Sequence, residues 1–288
     1  MIQEPVQEQT IAQVLRLCPM CHNNNEAERP SPLSRPPYHI KECSICSFTY
    51  LENPPAQDAF VDTFAWEKTA EAEEQARKKS RPISKRLSGL LHLFRQRVLK
   101  RNKLGALIRT YIPHGPILDI GCGEGGVLAS LPNDCYRLYG IEISREQAQT
   151  AQQRLNLRGG KIIHASATQG LQELDDNFLN GATLSSFLEH EMHPAVLLGQ
   201  LCRKLKPNGC IILKVPNFAC LNRRIRGQSW CGLRFPDHLN YFTPKTLTRL
   251  VESKGFSLLQ FNRFDHSPIS DNMWMVASKK PQQHDLDS

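Results

Sequence analysis

The sequence predicts an α/β protein: one seven-stranded sheet with helices on both faces, preceded by a small cysteine-rich module. Three observations predict this class. Strand-like and helix-like segments alternate along the chain from Pro116, as they do in parallel sheets covered by helices. A glycine-rich stretch, ILDIGCGEGG at 117–126, joins the first strand to a helix. Two Cys-x-x-Cys pairs lie near the N-terminus, before the alternation begins.

Each predicted element follows from its hydrophobic pattern and its boundary residues. Short apolar and β-branched runs between turn residues predict strands, within 116–121, 137–143, 161–166, 178–190, 210–217, 256–264 and 272–280. Helical segments are predicted at 125–131, 144–157, 194–209 and 243–255. Ser144 and Thr243 are the predicted N-caps of the second and fourth helices, because their hydroxyls accept from free backbone N–H groups.

The chain divides into four predicted segments: the cysteine module at 1–56, a helical and basic linker at 57–103, the α/β domain at 104–280 and a disordered tail at 281–288. Residues 77–103 contain eleven Lys or Arg and no acidic residue. Apolar residues at helical spacing within them predict an amphipathic helix. We expect it to pack on the main domain with its basic face in solvent. Peripheral contact with an anionic membrane or a nucleic acid is the alternative.

Composition excludes several other classes of protein. The chain has 288 residues, of which 40% are hydrophobic and 22% charged, as in ordinary globular proteins. The first ten residues, MIQEPVQEQT, have neither the basic start nor the apolar core of a secretory signal peptide. No apolar run reaches the roughly 18 residues that a transmembrane segment needs. The sequence therefore predicts a soluble, cytoplasmic protein.

Four of the ten cysteines form two pairs, CPMC at Cys18 and Cys21 and CSIC at Cys43 and Cys46, separated by 21 residues. Each pair offers two thiolates on one tight turn, and together they complete the tetrahedral sulfur shell of a zinc ribbon. Four cysteine ligands leave no open coordination position, so this zinc would be structural. Unrelated thiols or a redox pair are the alternatives.

The glycine-rich stretch predicts a ligand that lies close to the backbone. Gly121, Gly123 and Gly126 follow a strand and open a helix, as in dinucleotide-binding loops. Glu142 ends the next strand, where a carboxylate binds a ribose diol. These features fit either a dinucleotide or an adenosyl ligand. Asp119 favours the second, because its carboxylate would repel a pyrophosphate but attract a ligand with positive charge.

The strings LDIGCGEGG and GIEIS resemble the class I S-adenosylmethionine-dependent methyltransferases, over roughly 104–280. FLEHEMHP, LKPNGCIILKVPN and DHLNYFTPKTLTRLVESKGF are similar to the branch that contains the quinone O-methyltransferases. A zinc ribbon before such a domain is similar to certain deoxysugar C-methyltransferases. The resemblance implies a Rossmann-like, seven-stranded methyltransferase sheet and S-adenosylmethionine as cofactor.

The resemblance also implies where the glycine loop and the second strand contact the cofactor. Asp119, Gly121 and Gly123 would line its methionine part. Glu142 would accept from both ribose hydroxyls, and Ile143 would flank the adenine.

Further contacts are implied after the third and fourth strands. The family often has an acidic residue after the third strand that contacts the adenine amine. Ser166 stands near that position in HASAT and still accepts a hydrogen bond. Phe187 and Leu188, after the fourth strand, would face the sulfonium.

Two histidines are candidate bases, because an imidazole exchanges protons near neutral pH. They are His190 in LEHEMH and His238 in PDHLNYF. In the sugar C-methyltransferases, a Glu-His pair before a similar YF string provides the proposed base; the pair here is Asp237-His238. The alternatives are that His238 only orders its loop and that His190 belongs to a strand-to-helix turn.

The irregular insert at 217–242 lies where this fold builds its acceptor contacts. We expect Arg224, Arg226, Trp230 and Tyr241 to contact the acceptor, because arginines and aromatic rings suit an anionic molecule. The predicted function is methyl transfer to a small or carrier-linked acceptor, such as a sugar or glycolipid precursor. One alternative is an RNA methyltransferase that holds RNA with the ribbon and the basic helix. The other is a non-catalytic binding protein on the same scaffold, which the intact glycine loop and Glu142 argue against.

Overall fold

The computed structural model describes residues 13–56, 103–132 and 134–281. The predicted linker before Lys103, with its basic helix, lies outside the described residues, as does the tail after 281. Within these ranges, no helix is both long enough and apolar enough to cross a membrane.

The described residues form ten strands and seven α-helices. The strands are β1 (Ile40–Glu42), β2 (Thr49–Leu51), β3 (Gly115–Ile120), β4 (Tyr136–Glu142), β5 (Lys161–His164), β6 (Leu179–Ser185), β7 (Leu205–Pro216), β8 (Asn240–Tyr241), β9 (Phe256–Gln260) and β10 (Asn272–Lys279). The helices are α1 (Lys103–Tyr111), α2 (Gly126–Ala129), α3 (Arg145–Leu155), α4 (Ala167–Gln172), α5 (Pro194–Lys204), α6 (Leu221–Arg226) and α7 (Pro244–Ser253).

Seven strands form the main sheet in the order β5-β4-β3-β6-β7-β10-β9. The first five are parallel, and β10 pairs antiparallel with both β7 and β9. The predicted α/β class and strand number are confirmed, but the sheet is mixed rather than wholly parallel. The reason is the order of elements: β10 follows β9 without an intervening helix, so the chain reverses direction between neighbouring strands.

The helices differ from the prediction in several places. Ser144 caps α3 through Gln147 N–H, and Thr243 caps α7 through Thr246 N–H, as expected. The short helix α4 was not predicted, because its six residues are too few to show a hydrophobic period. Helix α5 ends at Lys204, and the strand after it begins at Leu205, five residues before the predicted start.

Alternating side chains of the central strands divide the core into two apolar clusters, one on each face of the sheet. Ile117 packs with residues of α1, α2 and α3, whereas the next residue, Leu118, packs with residues of α4, α5 and α7. Ile212 and Leu213 repeat this alternation in β7. Successive strand side chains point to opposite faces, so helices cover both faces as predicted.

The cysteine-rich module packs directly on the main domain. Cys18, Phe48 and Tyr50 belong to the same apolar cluster as Phe242 of the insert, and the Phe48 and Phe242 ring centroids are 5.3 Å apart. A three-stranded sheet in the order β1-β2-β8 joins the module to the insert. One strand of that sheet therefore comes from the polypeptide that follows Asp237 and His238.

Candidate active site

The glycine loop follows β3 at the carboxyl edge of the main sheet. Gly121, Gly123 and Gly125 all have positive φ angles, of 69°, 53° and 75°. A Cβ atom at Gly121 would lie 2.4 Å from Cδ2 of Phe187, and one at Gly125 would lie 3.2 Å from the Ala151 Cβ atom. The loop thus requires glycine both for its backbone conformation and for its packing. The structure also brings Phe187, a predicted cofactor residue, against the loop.

Glu142, at the end of β4, is hydrogen-bonded to the glycine loop. Its Oε2 accepts from Gly123 N–H at 2.8 Å, and its Oε1 accepts from Ser144 N–H at 2.9 Å. The residue is 8% exposed. A carboxylate has about four lone-pair sites, so each oxygen keeps acceptor capacity for a ligand hydroxyl at this edge.

Asp119 is buried one residue before the end of β3. Its Oδ1 accepts from the Thr183 hydroxyl at 2.5 Å. The pKa of Asp119 is raised to about 7, chiefly by burial; the Thr183 hydrogen bond opposes the rise, and the charge of Glu142 adds to it. The site therefore holds a carboxyl whose ionisation a nearby positive charge would favour.

The remaining predicted cofactor residues lie around the same edge. Ile143 is 43% exposed, and its carbonyl oxygen is 3.1 Å from His164 Nε2. The Ser166 hydroxyl donates to Gln169 Oε1 at 2.7 Å. Leu188 is fully buried, next to the partly buried Phe187. Five of the eight predicted residues come from β3, β4 and the segment after each.

A second group of polar side chains lies just after β6. Glu189, His190 and His238 each place a carboxylate oxygen or ring nitrogen within 4.8 Å of the others. The two imidazole rings meet edge to face, with centroids 4.8 Å apart. The structure thus brings together the two histidines that the sequence predicted as alternative bases, although 48 positions separate them in the chain.

Hydrogen bonds to carbonyl groups orient both rings. His190 Nδ1–H donates to the Asp237 carbonyl oxygen at 2.9 Å, and His238 Nδ1–H donates to that of Gly232 at 2.9 Å. A carbonyl oxygen only accepts, so these bonds place the proton on Nδ1 and the lone pair on Nε2 in each neutral ring. Burial lowers the pKa of His190 to about 4, with the Arg234 charge as a second cause. His190 is therefore neutral at pH 7.

Glu189 is the residue of this group that sequence reasoning missed. It is 2% exposed, and Oε2 has no hydrogen-bond partner among the described residues. Burial raises the pKa of Glu189 to about 8, against the charges of Lys214 and Arg234, so its carboxyl is mostly protonated at pH 7. A buried polar atom without a partner costs free energy. The string FLEH contained the signal, since a glutamate between Leu188 and His190 follows a buried strand.

Asp237 pairs with an arginine of the insert. Its Oδ2 is 3.0 Å from Arg234 Nη2, and both side chains are about nine-tenths buried. Asp237 is the residue that the sequence compares with the glutamate of a Glu-His pair. Its carboxylate therefore forms an ion pair with Arg234. The Tyr241 hydroxyl is buried without a hydrogen-bond partner in the described part of the chain. Burial raises the pKa of Tyr241 well above its ordinary value.

The other predicted acceptor residues occupy two different environments. Arg224 and Arg226 are exposed on α6. Trp230 is 2% exposed, and its indole N–H donates to Asp271 Oδ1 at 2.8 Å while its ring packs near Phe218. The contacts of Trp230 are those of a core residue of the insert.

The four paired cysteines converge at one point. Their sulfur atoms all lie within 4.8 Å of one another, with Cys18 and Cys46 at 3.5 Å and Cys21 and Cys43 at 3.5 Å. Four sulfurs around zinc, each at about 2.3 Å, would be roughly 3.8 Å apart. The residues present therefore fit a tetrahedral zinc site with four thiolates.

The fold and the carboxyl edge define a class of protein. A glycine loop after one parallel strand and a carboxylate at the end of the next form a Rossmann-like site for an adenosyl ligand. A family model described as a methyltransferase domain matches residues 84–260, more than half of the chain. The chain belongs to this family and is an S-adenosylmethionine-dependent methyltransferase, as the sequence resemblance predicted.

Curated relatives include two ubiquinone biosynthesis O-methyltransferases. That of Photobacterium profundum is 24% identical over 174 residues, which cover 56% of this chain and 72% of the relative. That of Vibrio cholerae (strain ATCC 39541) is 23% identical over 167 residues, covering 54% and 66%. Both names describe methyl transfer to oxygen in those proteins.

Two solved structures share the fold. The (4+2)-cyclase SpnF aligns with a TM-score of 0.50 at 18% identity, over 62% of this chain and 82% of the cyclase. A complex of the Haloferax volcanii Trm112 methyltransferase activator with a methyltransferase contains a chain that aligns with a TM-score of 0.50 at 13% identity. That alignment covers 60% of this chain and 85% of the other. At these identities the likeness concerns the fold alone.

Proposed function

We propose that this methyltransferase acts on a hydroxyl of a small or carrier-linked acceptor bound beside Glu189, His190 and His238. The buried cluster of these three side chains carries the proposal. A hydroxyl nucleophile must lose its proton as it is methylated, and the Nε2 lone pair of a neutral imidazole is a suitable acceptor for that proton. The names of the curated relatives favour an aromatic hydroxyl as the methylated group.

We place the cofactor at the carboxyl ends of β3 and β4. S-adenosylmethionine supplies a methyl group on a positively charged sulfur. Asp119 would pair with its ammonium group, and Glu142 would accept from the ribose hydroxyls that reach its two oxygens. Gly121 and Gly123 would let the ligand approach the backbone. Positive ligand charge would offset the electrostatic cost of ionising Asp119.

The adenine and the sulfur would meet the apolar residues beside this edge. Ile143 and Ser166 would flank the adenine, and Phe187 and Leu188 would line the sulfonium. Because Phe187 also packs on Gly121, it would fix the separation between cofactor and acceptor. Methyl transfer by direct displacement depends chiefly on that alignment.

On the acceptor side, His238 is the proposed base, since its Nδ1–H bond to the Gly232 carbonyl places the ring lone pair on Nε2. His190 and the protonated Glu189 would hydrogen-bond the acceptor hydroxyls. Tyr241 would donate from its buried hydroxyl.

A sugar or glycolipid precursor is the second candidate acceptor. Arg224 and Arg226 on the exposed face of α6 favour it, because guanidinium groups bind the phosphates of nucleotide or lipid carriers. RNA is a weaker alternative. Its predicted contacts include the basic helix, which lies outside the described residues. Contact of 77–103 with a membrane and a cytoplasmic location also stay predictions from the sequence.

Methyl transfer from radiolabelled S-adenosylmethionine would separate the acceptor classes. We expect label on 3,4-dihydroxybenzoate, an aromatic diol, and transfer of that label slowed by about tenfold in His238→Ala. Label on a nucleotide-linked sugar, with the phenol inert, would favour the second candidate. Label on RNA, with binding that weakens steeply as salt rises, would overturn the proposal.

We also propose that Cys18, Cys21, Cys43 and Cys46 hold one structural zinc ion. The sulfur spacing supports this, and four thiolates would close the shell, leaving the metal no part in methyl transfer. Elemental analysis of the purified protein should find one zinc per chain. A metal content near zero in protein that is folded and active would contradict it.

A further inference from the structure

The ribbon and the acceptor side of the site share a sheet. Strand β2 of the ribbon pairs antiparallel with β8, with Tyr50 opposite Asn240. Leu51 N–H also donates to the Leu239 carbonyl at 2.9 Å. Because β8 begins two residues after His238, the ribbon backbone fixes the polypeptide that carries the proposed base.

Arg16 adds a side-chain link across the same boundary. It is 9% exposed and lies two residues before Cys18. Its Nη1 donates to the Leu51 and Leu239 carbonyls, each at 3.3 Å. Its Nη2 donates to the Met192 carbonyl at 2.7 Å and to Asn240 Oδ1 at 3.2 Å. One planar guanidinium thus joins the ribbon, the segment after His238 and the turn after His190.

Asn240 extends this link into the turn that contains Glu189. Its Nδ2 donates to the Leu188 carbonyl at 3.0 Å and to the Glu191 carbonyl at 2.6 Å. The backbone N–H groups of Leu239 and Asn240 both donate to the Glu189 carbonyl, at 2.8 and 3.0 Å. Four carbonyl groups of residues 188–192 therefore accept a hydrogen bond from Asn240 or Arg16.

We propose that Arg16 is a positioning residue that couples the cysteine ribbon to residues 188–192 and 237–241, so that the ribbon sets the geometry of the acceptor side. Rotation of the Cys18 turn would move Arg16 and withdraw donors from both segments together. Arginine suits this role because its five N–H donors lie in one fixed plane. Lysine has a single ammonium group without that planar arrangement. The proposal rests on the proposed function for its catalytic consequence, but its structural part does not.

Hydrogen–deuterium exchange on the full chain tests the structural part. Arg16→Ala should speed exchange at 188–192 and 239–241 while leaving exchange at 117–123 unchanged. Removal of zinc with a chelator should speed exchange in the same segments. Arg249→Ala is the matched control, because Arg249 Nη1 donates to the Cys46 carbonyl at 2.8 Å from α7. That arginine also holds the ribbon, but through the second cysteine pair, and its loss should leave 188–192 protected.

Kinetics with 3,4-dihydroxybenzoate test the catalytic part. Arg16→Ala should lower kcat by about tenfold or more, as misplacement of reacting groups does, with unchanged affinity for S-adenosylhomocysteine. Arg16→Lys should recover only part of the loss. Equal effects of Arg16→Ala and Arg249→Ala would overturn the proposal in favour of general docking, as would unaltered exchange at 188–192 in Arg16→Ala. A wild-type protein that does not methylate the phenol would contradict the proposed function, while the exchange result would still decide the role of Arg16.

Discussion

The proposed cofactor edge and the proposed acceptor side of this enzyme are built in different ways. Asp119, Gly121, Gly123 and Glu142 lie within one strand–loop–helix–strand unit, on two strands that are neighbours in the sheet. The acceptor side instead combines the turn after β6, the insert and the N-terminal ribbon. The first region takes its geometry from local chain connectivity, whereas the second takes it from contacts such as those of Arg16.

The two regions also differ in how charge surrounds their buried acids. The carboxylate of Glu142 raises the pKa of Asp119 beyond the effect of burial, so the cofactor edge favours a positive ligand. At Glu189, the charges of Lys214 and Arg234 oppose the effect of burial. A neutral acid beside two imidazoles suits an acceptor that must lose a proton. Separate perturbation of each region should therefore give separable effects.

The largest effect should come from a proposed zinc ligand. Cys43 is 1% exposed, and it belongs to the apolar cluster that joins the ribbon to the main domain. Cys43→Ser should release the metal and lower the free energy of unfolding by several kcal/mol, because zinc binding in such modules is folding free energy. Zinc content and urea unfolding would measure this.

The control for Cys43→Ser is Cys202→Ser. Cys202 is half-buried on α5, outside the ribbon, and its replacement should leave the zinc content unchanged. Full zinc occupancy in Cys43→Ser would show that the ligand set is wrong. Intact binding of S-adenosylhomocysteine in the zinc-free protein would sharpen the contrast between the two regions.

The next effect concerns the pH dependence of stability at the cofactor edge. In the folded protein the pKa of Asp119 is raised to about 7, whereas the carboxyl of the unfolded chain ionises near the ordinary aspartate value of 3.8. Between these values the folded state binds one proton more than the unfolded state. The free energy of unfolding therefore falls as pH rises through this window, by up to about 1.4 kcal/mol per pH unit.

Asp119→Asn removes this proton without changing the side-chain shape. In the absence of cofactor, the free energy of unfolding of Asp119→Asn minus that of wild type should rise by about 2 kcal/mol or more between pH 5 and pH 8. Urea unfolding at both pH values measures the difference, and the other titrating groups cancel because both proteins share them. Thr183→Val tests the hydroxyl that donates to Asp119. A constant stability difference between wild type and Asp119→Asn at both pH values would contradict the raised pKa.

The contrast between the two regions also explains what the sequence could predict. The seven strands and the glycine loop were predicted because apolar runs and Gly spacing are local patterns. The third ribbon strand, β8, depends on its pairing with the distant strand β2, which leaves no local pattern. Arg16 was missed for the same reason: in VLRLC it is an ordinary arginine, and only the folded chain brings its four acceptors together.

A smaller effect is expected for the proposed ribose contact. Glu142→Ala should weaken binding of S-adenosylhomocysteine by about 1–3 kcal/mol, the cost of losing hydrogen bonds to a charged group. Isothermal titration measures this affinity. Glu146→Gln is the control. Glu146 is exposed in the first turn of α3, and its replacement removes the same charge close to Glu142. Equal losses in both variants would indicate a long-range charge effect rather than contact.

The smallest effect should come from the proposed acceptor side. His238→Ala should lower the rate of methyl transfer by about tenfold, or roughly 1.4 kcal/mol of transition-state stabilisation. Affinity for S-adenosylhomocysteine should stay unchanged, because Glu142 and the glycine loop remain intact.

Glu189→Gln keeps the shape of the carboxyl but cannot ionise. The methyl-transfer rate of this variant should therefore no longer change with pH near pH 8, where burial places the pKa of Glu189. Initial rates between pH 6 and pH 9 would show both effects. If His238→Ala retained the full rate with an unaltered pH profile, His238 would have only a structural role in its loop, and His190 would become the candidate base.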